Sequence, residues 1–146
     1  MPAEKMKPLL GDHHETLRHV TGLMHEVIRA IGGDISVSQL LIFMEVARSN
    51  AAGHAIDMKE LQILIGITSG STFSRQVAAL LEYQKEGVQG LGLLEQIENP
   101  RDRRRKQLLL TDKGANVREV LAAFIKRDEI YLRKTTPAIE PQHTED

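Results

Sequence analysis

NPRDRRRKQLLLTDKG, residues 99–114, sets five cations around one carboxylate in its first half and follows them with an apolar run. Within residues 100–106, Arg101, Arg103, Arg104, Arg105 and Lys106 are opposed only by Asp102, a local charge of +4 in a chain whose formal net charge is -1. PRDRRR reads as a charged turn, with LLEQIEN (residues 93–99) before it and KQLLL (residues 106–110) after it as two strands of a hairpin. Such a tip repels itself and gains little in the free fold. Neutralising phosphates stabilises it and releases counterions. A slim tip bearing arginine also fits the minor groove, where the potential is most negative over A·T-rich segments. The competing reading is a solvated turn that aids solubility.

Upstream of the hairpin lie two short helices joined by a tight turn. Asp57 opens the first, with Glu60 completing a capping box and Leu61, Leu64 and Ile65 facing inward. Gly66 ends it, and a polar turn from Thr68 leads into a helix from about Ser71 to Tyr83. Phe73, Val77, Leu80 and Leu81 form the inward face of that helix. Rotation by 100° per residue leaves Ser71, Thr72 and Arg75 opposite, flanked by Ser74 and Gln76, with Ser69 in the turn just before. Small hydroxyls, one guanidinium and one amide near a helix N-terminus suit base edges and phosphate. The pair has the plan of a helix-turn-helix. Taken alone it reads equally as an exposed, capped helix; a cationic hairpin roughly 25 residues further on shifts the balance toward nucleic acid.

Further out, Leu17, Val20, Met24, Val27, Ile28 and Ile31 recur at helical spacing between His14 and Ile31, and Gly32 and Gly33 stop the helix. Ser36 starts another, with Gln39 completing a capping box and Val37, Leu40, Leu41, Met44 and Ala47 as its apolar stripe. Met24 and Met44 are assigned to the core. AAGHAI, residues 51–56, is loop or a short strand, and EGVQGLG, residues 86–92, is loop. Thr111 caps a last helix reaching about Lys134, with Val117, Val120, Leu121, Phe124 and Tyr131 as its stripe and Pro137 beyond it.

Composition narrows the field. The 146 residues suit one domain, 41% hydrophobic and 27% charged, with no run long enough to span a membrane and no leader pattern at the start. A cytoplasmic protein is expected. The absence of cysteine excludes disulfides, Cys-ligated zinc and thiol redox sensing. With aromatic residues at 3% and no Trp, a base-stacking single-strand or RNA binder is disfavoured. His13 and His14 are adjacent and His19 and His25 are six apart, so neither pair has the i, i+4 spacing of a helical metal site. No phosphate loop, nucleophile elbow or acid–base pair marks an enzyme, and neither cofactor nor metal is expected.

Residues 99–114 resemble the wing of the MarR family of winged-helix transcriptional regulators. The family pattern, roughly Asn-Pro-x-Asp-Arg-Arg and then Leu-Thr-x-x-Gly, is met by Asn99, Pro100, Asp102, Arg103, Arg104, Leu110, Thr111 and Gly114. The resemblance extends over about residues 36–120. It implies that Arg104 enters the minor groove, that Asp102 holds a neighbouring arginine by a charge-assisted bond, and that the helix from Ser71 is the recognition helix. It also implies that the first and last helices form an intertwined dimer interface. Two departures stand out. The turn at Thr68–Ser71 is one residue longer than the family spacing, leaving open which hydroxyl is the N-cap. The segment from Tyr83 to Gly92 is also longer than the common form, enough to shift the wing outward.

The expected fold is mainly α with a small β-hairpin wing, a winged helix-turn-helix. Residues 1–12 are expected to be a flexible N-terminus and 13–135 a single domain. Within it, 36–111 form the DNA-binding core, and 13–33 and 112–135 the dimerisation helices; 136–146 form a disordered tail. The expected function is sequence-specific binding of double-stranded DNA by a homodimeric repressor at a pseudo-palindromic operator, with a small-molecule effector changing the separation of the two recognition helices. A winged-helix protein-interaction module is the alternative, and weak salt dependence of its binding would distinguish it.

Overall fold

The computed structural model describes residues 13–135, with side chains to residue 127. The expected flexible N-terminus, 1–12, and disordered tail, 136–146, lie outside the described residues, as does the Tyr131 side chain. Among the described residues the order is α1 (His14–Ile31), α2 (Val37–Ala51), β1 (Ile56–Asp57), α3 (Met58–Ile65), α4 (Gly70–Ala78), β2 (Tyr83–Lys85), β3 (Val88–Gln89), β4 (Leu94–Asn99), β5 (Asp102–Leu110) and α5 (Asp112–Thr135). The architecture is the winged helix-turn-helix anticipated, mainly helical with a β wing. No described helix is long and apolar enough to cross a membrane.

Helix α2 runs through the middle. Ser36 Oγ accepts from Gln39 N (3.1 Å) while Gln39 Oε1 accepts from Ser36 N (2.9 Å), so the expected capping box forms. Its buried face differs from the expected stripe. Ile42, Phe43 and Val46 are sealed from solvent with Leu40 and Ala47, whereas Val37, Leu41 and Met44 are exposed. The run Leu40–Met44 is apolar on every side, so periodicity does not choose a face, and the core takes the bulky Phe43 ring. Around it gather Leu61 of α3, Phe73 and Val77 of α4, Leu80, Leu93, Leu94 of β4, Leu108 of β5 and Val117 of α5. Each such burial contributes about 1.5–3 kcal/mol.

Helix α3 departs from expectation at both ends. Asp57 occupies the N-cap position but makes no side-chain cap bond, and Glu60 lies 3.4 Å from His54 instead of closing a box. Leu64 faces solvent beside the still more exposed Ile63. A helix of eight residues offers one narrow inward strip, and Leu61 with Ile65 fills it.

Helix α4 ends at Ala78, five residues before its expected limit, and the chain from Tyr83 into the expected loop folds as the β2–β3 hairpin. Leu91 N donates to Ala79 O, Gly92 N to Leu81 O and Gly90 N to Glu82 O, which draws the ends of the excursion together. Gly90 lies so close to the Leu81 carbonyl that a Cβ would strike it. The longer connection therefore folds on itself between α4 and the wing.

The main sheet is antiparallel in the order β1-β5-β4. Thr111 caps α5 as expected: its Oγ1 accepts from Gly114 N (3.0 Å) and donates to Gly92 O (2.6 Å). Helix α5 lies along α1, with the Phe124 ring edge against Gly22 and Arg127 over the ring, 5.0 Å from its centroid. Val27 and Ile31 of the α1 stripe are buried. Leu17, Val20, Met24 and Ile28 of α1, with Val120 and Ile125 of α5, stay exposed, so Met24 and Met44 are both surface residues.

Candidate nucleic-acid interface

Helix α4 presents the face its periodicity describes. Phe73 and Val77 are buried, while Ser69, Ser71, Thr72, Ser74 and Arg75 are exposed. The N-cap is Ser69, whose Oγ accepts from Thr72 N (3.3 Å) and sits 3.1 Å from Ser71 Oγ. The longer turn thus places the cap two residues before the expected helix start, and α4 begins at Gly70. The Arg75 guanidinium folds back toward the helix N-terminus, Nε donating to Ser71 O at 3.3 Å. Gln76 is half-buried and accepts from Ser36 Oγ at 3.2 Å, so it also ties α4 to the start of α2. Ser36 joins both networks; the sequence shows its cap role but not this second bond, which spans 40 residues.

The wing is tighter at its tip than expected. Strand β5 begins at Asp102, leaving Pro100 and Arg101 as the turn, with Asn99 Oδ1 accepting from Arg101 N at 2.9 Å. The register passes from Glu98↔Lys106 to Asn99↔Asp102, so Arg103, Arg104 and Arg105 bulge from β5 without Cα partners on β4. Among the described residues Asp102 holds no guanidinium. Its Oδ1 accepts from Arg104 N at 3.1 Å, which stabilises the bulged backbone rather than a side chain. The arginine that is held is Arg105, with Nη1 3.5 Å from Asp57 Oδ2, and Lys106 Nζ meets Glu98 Oε1 at 3.1 Å. Arg101, Arg103 and Arg104 are exposed and make no ion pair among the described residues. The counter-charges from Asp57 and Glu98 lie outside the 100–106 run, and only the fold brings Asp57 there.

Helix and wing share one base. Leu80, just past α4, accepts through its carbonyl from Leu93 N (2.8 Å) and Leu94 N (3.0 Å), at the foot of β4. The unpaired arginines and the hydroxyl-lined helix are therefore projected from a common, rigidly bonded corner.

No family model matches the chain, and no curated protein matches it by sequence. Solved structures do. An RV1404 structure from Mycobacterium tuberculosis superposes with a TM-score of 0.65 at 16% identity, over 94% of this chain and 83% of that one. A MepR–DNA complex from S. aureus gives 0.59 at 16% identity over 83% and 84%, and MarR itself 0.53 at 18% over 93% and 85%. The fold is that of MarR. Five helices with a small antiparallel β wing match that fold, in agreement with the resemblance seen at residues 99–114.

Proposed function

We propose that this chain is a homodimeric transcriptional repressor that binds a pseudo-palindromic duplex site, performing no chemistry. The observation that carries the reading is the trio Arg101, Arg103 and Arg104, exposed and without ion pairs among the described residues, on a finger hydrogen-bonded at its base to Leu80, just past helix α4. Cations that gain nothing inside the free fold gain from phosphate. Ser69, Ser71, Thr72, Ser74, Arg75 and Gln76 meet the major groove, and the wing, with Arg104 foremost, enters the flanking minor groove. That one neighbour was solved on DNA supports this assignment.

Dimerisation uses the uncovered stripe of α1, Leu17, Val20, Met24 and Ile28, together with Val120 and Ile125 of α5. A contiguous apolar row of this kind marks an interaction surface, and a second copy covering it removes it from water. Two copies then set the half-sites about 10–10.5 base pairs apart on one face of the duplex. A small-molecule effector acts by changing that separation, in the cytoplasm.

The test is selection of bound duplexes from a random pool. Recovery of a two-fold symmetric site with that spacing is expected. A pool that shows no enrichment, or binding insensitive to salt, overturns the proposal in favour of a winged-helix interaction module.

A further inference from the structure

The wing is firmly bonded at its base, but toward its tip it has few ties to the helix-turn-helix. Strand β1 supplies two pairs to the sheet, Ile56↔Leu108 and Asp57↔Gln107, and there its ladder stops. Beyond Gln107 toward the tip, no third strand flanks β5 among the described residues. Arg105 lies two residues past Gln107 toward the tip, and its guanidinium reaches back to the last residue of β1, Nη1 to Asp57 Oδ2 at 3.5 Å. Among the described residues this ion pair is the outermost ion pair between the wing and the helix-turn-helix.

Asp57 is equipped for this at the expense of another role. It holds the N-cap position of α3 with extended backbone (φ -69°, ψ 146°), where an aspartate ordinarily accepts from the first turn, yet it makes no cap bond. Its side chain is 19% exposed, and Oδ1 is buried without a hydrogen-bond partner.

We propose that Asp57 is a positioning residue for DNA binding: by holding Arg105 it fixes the angle of the wing to the helix-turn-helix and so the reach of Arg101, Arg103 and Arg104. The inference rests on the DNA-binding reading above and deepens it. It also opposes simple electrostatics. A carboxylate near a polyanion-binding surface repels phosphate, so its removal, acting through charge alone, tightens binding. Acting as a clamp, its removal weakens binding.

The experiment measures duplex affinity against salt concentration for the native chain, Asp57→Asn, Asp57→Ser, Arg105→Gln and the double variant Asp57→Asn/Arg105→Gln, on the site recovered by selection. Each single variant is expected to bind about threefold to tenfold more weakly. The double variant should lose no more than the worse single one, because both remove one contact. The slope of log affinity against log salt should hold for all four variants, since no phosphate contact is lost. Asp57→Ser restores a good helix cap, so it should unfold no earlier than the native chain and still bind weakly, which separates positioning from folding. Equal or tighter binding by Asp57→Asn overturns the clamp. So does additivity of the two substitutions, or a salt slope that falls by about one with Arg105→Gln, which makes Arg105 a phosphate contact. Failure of the native chain to bind any duplex overturns the DNA-binding reading itself, and the clamp with it.

Discussion

The side chain of Asn50, at the end of α2, continues the sheet edge where β1 leaves off: its Oδ1 accepts from Leu110 N at 2.9 Å across 60 residues of sequence. Its Nδ2 faces Leu108 O at 3.4 Å and donates to His54 O at 3.1 Å. One amide thus stands in for the next strand residue beside β5 and closes the turn that leads into β1. Its removal leaves a part-buried backbone N–H without its acceptor. Asn50→Ala is therefore expected to destabilise the fold by about 1–3 kcal/mol. Urea unfolding should show a lower midpoint with an unchanged m-value.

Gly114 has a different constraint. Its N–H is capped by Thr111, and a Cβ there would run into the Leu93 carbonyl, which itself accepts from Thr111 N. Neither partner is the end of a flexible side chain. Gly114→Ala should cost about 1–3 kcal/mol through forced separation of α5 from the foot of the wing. Thermal denaturation is the readout, and a raised Tm would contradict the packing described.

Arg104 is exposed, without an ion-pair partner among the described residues, and carried on backbone held by Asp102. Arg104→Ala should weaken binding by about 1–3 kcal/mol, with the largest loss on A·T-rich flanks. Fluorescence anisotropy on duplexes differing only in the flanks measures it. An affinity unchanged at moderate salt removes Arg104 from the interface.

Ile28 is 57% exposed in the middle of the uncovered α1 stripe. Ile28→Glu places a charge that an apolar interface cannot bury unpaired, at a cost of several kcal/mol. In sedimentation velocity the native chain is expected to run as a dimer and this variant as a monomer of unchanged helicity. A native monomer, or an undisturbed dimer of the variant, relocates the contact.

Much of the fold was legible because its signals are local. Gly32 and Gly66 end their helices in the left-handed conformation, Ser36 with Gln39 forms its box, and Thr111 caps α5, since each of these needs only a few neighbouring residues. The face of α4 was legible for the same reason, its apolar residues falling on one side of a short helix. The buried face of α2 was not, because Leu40–Met44 is apolar all round and only packing ranks its sides. The Asp57 assignment failed differently. An aspartate before a helix has a local use as a cap, and a long-range one in Arg105 that residue order does not display.

The residues alone determined the charge: four arginines and a lysine within seven positions form a cationic tip in any fold that leaves them on a turn. They also determined which helix carries hydroxyls outward. Tertiary structure decided which cations remain unpaired, since Asp57 and Glu98 neutralise Arg105 and Lys106 only after β1, β4 and β5 come together. The physical reason is range. Capping and periodicity act over one or two helical turns, whereas an ion pair forms wherever the chain brings opposite charges within about 4 Å, and that depends on every contact between.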